Sequence, residues 1–115
     1  MSITLYHNPR CSKSRQTLQL LKDNDHNPII VEYLKTPPDA ATLKQIILAL
    51  GTDANGIMRT AEEEYKAEQD QFDVLDETGK IAWLCRHPKV IQRPIVVHGK
   101  RARIGRPPED VLDIL

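Results

Sequence analysis

Apolar positions along the chain change period several times, and each change marks an element. Ile3-Thr4-Leu5-Tyr6 is a short β-prone run, ended where Asn8-Pro9 punctuates the chain. Beyond it Ser14, Thr17, Leu18 and Leu21 recur at i, i+3, i+4 and i+7, one face of a helix, until Asp23-Asn24-Asp25 and Asn27-Pro28 stop the pattern. Ile29 to Leu34 then predicts a second strand. Strand, helix and strand fit within about the thirty residues of a βαβ unit, for which a right-handed crossover between parallel strands is the default.

Thr36-Pro37-Pro38-Asp39 predicts a helix start, with Thr36 as N-cap, Pro37 at the first helical position and Asp39 as capping-box partner. Leu43, Ile46, Ile47 and Leu50 form its apolar stripe, and Gly51 ends it. From Asp53 to Cys85 the pattern is helical in patches, interrupted at Gly79, and predicts two or three helices. Ile81, Leu84 and Cys85 share a face before His87-Pro88 breaks it. Pro94 to His98 and Arg101 to Ile104 flank Gly99-Lys100 as a β-hairpin. Pro107-Pro108-Glu109-Asp110 begins a last helix carrying Val111, Leu112, Ile114 and Leu115. The order predicted is β-α-β, helices, β-β-α: an α/β chain forming one domain over residues 1–115, with an all-helical insertion at about 39–88.

Composition bounds the function classes. A chain of 115 residues has room for a single small core. With 40% hydrophobic and 28% charged residues it reads as a soluble globular protein, and no apolar run approaches the roughly 18 residues of a membrane span. Met1-Ser2-Ile3-Thr4 lacks the basic and apolar segments of a secretion leader, so a cytoplasmic location is expected. Two cysteines, Cys11 and Cys85, do not make a disulfide framework. The formal net charge of zero hides a sorting of charge along the chain: acids crowd between Glu62 and Glu77, and none occurs from Thr78 through Pro108. The acidic block reads as a solvated helical face.

The candidate chemistry lies in His7-Asn8-Pro9-Arg10-Cys11-Ser12-Lys13-Ser14-Arg15. Cys11 falls where a strand hands over to the first turn of a helix, where unpaired N–H groups and the helix dipole favour negative charge. With His7, Arg10 and Arg15 as cationic neighbours, a thiolate nucleophile is expected there. Ser14 stands where a dithiol protein carries its resolving thiol, and a hydroxyl cannot form a disulfide. An adduct on Cys11 therefore calls for a thiol from outside. Cys85, on an apolar helical face, is expected to pack. Spacing excludes two rivals. A cysteine phosphatase would close its phosphate loop with arginine where this chain has Thr17, and the cysteines and histidines are too scattered for a zinc site. Neutral charge and few aromatics argue against nucleic acid as a partner.

His7-Asn8-Pro9-x-Cys11-x-x-Ser14-Arg15, the Arg59 region, His87-Pro88 followed by Arg93-Pro94-Ile95-Val96-Val97, and Arg106-Pro107 with Val111-Leu112-Asp113-Ile114-Leu115 together resemble the glutaredoxin-coupled arsenate reductase family. The resemblance spans nearly the whole chain and is that of a short, chromosomal member. It implies a thioredoxin/glutaredoxin-like fold. It further implies Cys11 as the nucleophile that attacks arsenate, a functional histidine at His7, and Arg59, Arg93 and Arg106 as the anion-binding residues. It also implies glutathione as co-substrate and glutaredoxin as the protein that completes the cycle, with no bound cofactor, no metal, no membrane and a monomeric state. Arg10 stands where those reductases carry a small residue. Two alternatives stay open: a general glutathione-dependent thiol oxidoreductase, and a non-catalytic Spx-like adaptor, whose redox-sensing forms use the second cysteine that Ser14 replaces.

Overall fold

The computed structural model describes residues 2–115; Met1, part of the amino-terminal reading above, lies outside the described residues. The strands are β1 (Ile3–His7), β2 (Ile29–Glu32), β3 (Ile95–His98) and β4 (Arg101–Ile104), in the spatial order β2-β1-β3-β4. β1 and β2 are parallel, whereas β3 runs antiparallel to β1 and β4 antiparallel to β3. The α-helices are α1 (Ser12–Asp23), α2 (Ala40–Leu50), α3 (Glu63–Asp73) and α4 (Glu77–Arg86), with short 3-10 segments at Ala54–Ile57, Pro88–Val90 and Pro108–Ile114. None of the described helices is long and apolar enough to cross a membrane. The chain forms two compact units: one takes the chain up to Thr36 together with Arg93–Leu115, the other Pro37–Gln92.

In the first unit the period of two along β1 sends Ile3, Leu5 and His7 to one face. Ile3 and Leu5 pack there with Leu21 of α1, Val96 of β3, and Val111 and Ile114 of the final 3-10 segment. Gly99, at φ +64, makes the β3–β4 turn that only a residue without a Cβ adopts readily. The final segment is tied to the hairpin by side chains. His98 Nδ1–H donates to the Ile114 carbonyl at 2.6 Å, and Arg101 Nη2 donates to the Asp113 carbonyl at 3.1 Å.

In the second unit, Phe72, Tyr65 and Trp83 meet edge to face, with ring centroids 5.0 to 6.4 Å apart. The acidic block does more than face water. Asp76 accepts the Gly79 N–H at 2.8 Å as the N-cap of α4, and Glu77 accepts the Ala54 N–H at 2.9 Å. Asp73 accepts the Tyr65 hydroxyl at 3.0 Å, and Glu68 faces both the Trp83 indole N–H and the His87 ring, each at 3.4 Å.

Three boundaries differ from the sequence expectation. The second strand stops at Glu32, because Lys35 and Thr36 turn their N–H groups back onto the Glu32 carbonyl, at 2.9 and 3.0 Å. α2 begins at Ala40 with Asp39 as N-cap, its side chain accepting the Thr42 N–H at 2.8 Å; a helix starting at Pro37 is disfavoured because Pro38 follows it. The last helix is of the 3-10 kind throughout.

Gly105 follows β4 and sits against Pro94 and α1. Its N–H donates to the Pro94 carbonyl at 2.9 Å, and a Cβ there would lie 2.5 Å from Thr17 Oγ1 and 2.8 Å from Pro94 Cγ. Gly105→Ala should therefore force α1 and the Pro94 segment apart and lower stability by about 1–3 kcal/mol, read as a shift of the urea midpoint. A variant as stable as the parent would show that the contact has slack.

Candidate functional site

β1 delivers the chain to a turn that presents Cys11. The Cys11 N–H donates to the Asn8 carbonyl at 3.0 Å, and the Arg10 N–H donates to Asn8 Oδ1 at 3.0 Å, so Asn8 closes the turn with both backbone and side chain. Asn-Pro was legible as a turn; the second role of Asn8 was not assigned from sequence. Cys11 is the N-cap of α1, with extended φ −94 and ψ 124, and its carbonyl accepts the Arg15 N–H at 3.0 Å. Its side chain caps nothing, so the sulfur stands at the positive end of the helix dipole without consuming a first-turn N–H group. The residue is 9% exposed.

Arg106 reaches that sulfur. Its Nη2 donates to Cys11 Sγ at 3.5 Å while its Nε donates to the Arg93 carbonyl at 2.7 Å, so the guanidinium is anchored at one end and aimed at sulfur with the other. Such a contact strengthens when the sulfur is anionic. Arg93 and Arg106 each precede a proline in a cis peptide bond. The buried Arg93 Nε has no hydrogen-bond partner among the described residues. Arg59 belongs to the helical unit, where its guanidinium pairs with Glu62 Oε1 and its N–H donates to the Val90 carbonyl at 2.6 Å. Arg15 donates to the Pro9 carbonyl at 2.9 Å, a local brace on the turn. Cys85 is half-buried on α4, and burial above all, with the Asp39 charge, pushes its thiol up, which suits packing.

His7 and Ser14 form the buried polar end of the first unit's core. Helical spacing sets Ser14, Thr17 and Leu21 on the buried face of α1, and strand alternation sets His7 on the face it shares with Ile3 and Leu5. Ser14 Oγ lies 2.6 Å from His7 Nδ1 and accepts the Asn8 N–H at 3.0 Å. Burial lowers the imidazole from its ordinary value, the Glu32 charge opposing and that of Arg15 assisting. The neutral ring is accordingly favoured, with one proton shared between Nδ1 and the Ser14 hydroxyl. This differs from the sequence expectation of an imidazolium beside the thiolate. The period of two carries His7 into the core, where the charged form is disfavoured. Among the described residues no group of three or more His, Cys, Asp or Glu side chains is placed to hold a metal ion.

A four-stranded sheet with α1 after its first strand, a cis-proline before its third and a cysteine at the N-cap position of α1 defines a thioredoxin-like fold. Residues 6–114 match the ArsC family, and the chain belongs to it. An arsenate reductase of Haemophilus influenzae is 44% identical over 117 residues, covering 100% of both chains. The protein YfgD of Escherichia coli, described as uncharacterized, is 49% identical, covering 98% of this chain and 96% of its own. The solved structure of an arsenate reductase from Vibrio cholerae superimposes with a TM-score of 0.94 at 45% identity, covering 100% of this chain and 98% of that one.

Two outcomes follow for the His7–Ser14 pair. Ser14→Ala leaves a buried imidazole nitrogen and the Asn8 N–H without their partner, and should cost about 1–3 kcal/mol in urea unfolding; a neutral result would mean that water replaces the hydroxyl. The pH effect has a definite sign. The folded state holds His7 below its unfolded value of about 6.5, so it binds fewer protons than the unfolded chain. The stability this group contributes is complete above that value and declines as pH falls below it. Unfolding free energy measured from pH 7.5 to 5.0 should fall in the parent, and by less in His7→Gln; parallel curves would remove His7 as a cause.

Proposed function

We propose that the protein is an arsenate reductase that works with a single thiol of its own, glutathione and glutaredoxin. The observation that carries the reading is the Arg106 guanidinium anchored on the Arg93 carbonyl and donating to Cys11 Sγ at the N-terminus of α1. The names borne by the relatives supply the oxyanion. Guanidinium groups bind tetrahedral oxyanions through paired N–H donors, and a sulfur at a helix N-terminus meets such an anion in a positive field.

In the proposed cycle the Cys11 thiolate attacks arsenic. An S–As bond forms, and a protonated oxygen leaves as water. Arg106 and Arg93 hold the anion, and the uncommitted Arg93 Nε–H is a donor for it; Arg59 is assigned the same task on the resemblance alone. A glutathione thiolate then attacks the Cys11 sulfur. The S–S bond forms as S–As breaks, the electron pair passes to arsenic and arsenite leaves. Glutaredoxin takes the glutathionyl group by thiol exchange, which returns Cys11 as a thiolate. Ser14 and His7 act as positioning residues, and no bound cofactor takes part. A cytoplasmic monomer, where glutathione is abundant, belongs to the same reading.

Arsenite formation in the presence of arsenate, glutathione and glutaredoxin tests it. Cys11→Ser should abolish turnover, and Cys85→Ser should leave it within about twofold. Arg106→Ala removes a charge-assisted hydrogen bond and should lower kcat/KM roughly 10- to 100-fold. No arsenite from the parent protein, under conditions where a known reductase turns over, overturns the proposal.

A further inference from the structure

We propose that Arg10 selects the thiol compound that reacts at Cys11, favouring one that carries carboxylates over a neutral one. This rests on Cys11 being a nucleophile served by glutathione, and it names the residue that favours that anionic thiol over a neutral one. Arg10 directly precedes the nucleophile, and its backbone is fixed: its N–H is held on Asn8 Oδ1 at 3.0 Å inside a turn closed by the Cys11 N–H on the Asn8 carbonyl, also at 3.0 Å. Its side chain is exposed and makes no hydrogen bond or ion pair among the described residues.

The neighbouring guanidinium groups are committed, Arg15 to the Pro9 carbonyl and Arg106 to Cys11 Sγ and the Arg93 carbonyl. No acid occurs between Ser2 and Lys22. Glu32, which pairs in register with His7, is itself matched to Lys35 at 3.6 Å. An anchored backbone with an uncommitted charge on it sets a positive field at the approach to the sulfur and leaves the contact of Arg106 with the sulfur intact. A reactant bearing carboxylates gains from that field during approach, and a neutral one does not. At the effective dielectric of a protein surface the gain corresponds to roughly a three- to tenfold difference in rate, screened by salt over about 10 Å at 0.1 M.

The test uses thiol–disulfide exchange on the full chain, with no arsenate present. The Cys11 thiolate attacks one sulfur of a symmetric disulfide; the new S–S bond forms as the old one breaks, and the second half leaves as a thiolate that takes up a proton. Rates are followed by peptide mass with anionic glutathione disulfide and with neutral hydroxyethyl disulfide. Arg10→Ala should slow the glutathione reaction three- to tenfold and leave the neutral one unchanged. Arg10→Lys should retain most of the preference, and added salt should erase it. An equal fall with both disulfides would show Arg10 acting on the sulfur itself and overturns the proposal, as does no change with either. A loss confined to exchange with glutaredoxin, both small disulfides being unaffected, would assign Arg10 to protein docking and also overturns it. A parent protein that makes no arsenite yet keeps the charge preference defeats the arsenate reading and supports this one.

Discussion

The hydroxyl of Ser14 holds the site together. One oxygen joins the last residue of β1, through His7 Nδ1, to the first turn of α1, and it also takes the N–H of Asn8, where the intervening turn begins. Strand and helix are thereby fixed to each other on both sides of Cys11. A thiol at this position would be the resolving group of a dithiol protein, but sulfur is a weak acceptor and a poor match for two short polar contacts. The residue that takes the place of a second cysteine in the Cys11 turn is thus also the residue that shapes that turn. In the proposed cycle, dependence on an outside thiol and rigidity of the site would have one origin.

Arg106 supplies the second constraint, and it depends on the hairpin. β4 leads into Gly105, which lies close enough to Thr17 and Pro94 that no side chain fits. That close approach brings the following residue to the Arg93 carbonyl on one side and the Cys11 sulfur on the other. An arginine on a loose loop would lose much rotamer freedom on reaching sulfur. Here the Nε anchor fixes the guanidinium in place, and in the proposed cycle that is the condition under which a charged donor assists most.

Much of this could be read in the chain. The strand–helix–strand opening, the Gly99 hairpin and Cys11 at the start of α1 follow from periodicities of two and 3.6 and from turn residues, which are local properties. What escaped was set by tertiary placement. Thr36 and Asp39 are both good caps on paper, and the two prolines between them decide for Asp39. His7 read as a cation at a strand end, but alternation along β1 sends its ring inward beside Leu5 and Ile3, where burial disfavours the charged form. The anchoring of Arg106 on a backbone carbonyl left no trace in the sequence, since carbonyl acceptors are the same at every residue. His87-Pro88 carried weight as a motif. In the structure the His87 ring stacks on Trp83 with centroids 4.0 Å apart and faces Glu68, a packing role within the helical unit.

The charge sorting along the chain takes on physical meaning once partners are assigned. Acids of the segment from Glu62 to Glu77 are largely engaged: Glu62 with Arg59, Glu68 with Trp83 and His87, Asp73 with Tyr65, Asp76 and Glu77 with backbone N–H groups. Among these, Glu62 meets a cation, while Asp73, Asp76 and Glu77 take neutral donors. Around Cys11, Arg15 donates to a carbonyl, and Arg106 to a carbonyl and to the Cys11 sulfur. A carbonyl satisfies the hydrogen-bonding geometry of a guanidinium and leaves its charge uncompensated. Cations whose hydrogen bonds go to carbonyls therefore leave positive charge beside the sulfur, although the chain as a whole is neutral. It is that local field, and not the total charge, that an approaching anion meets.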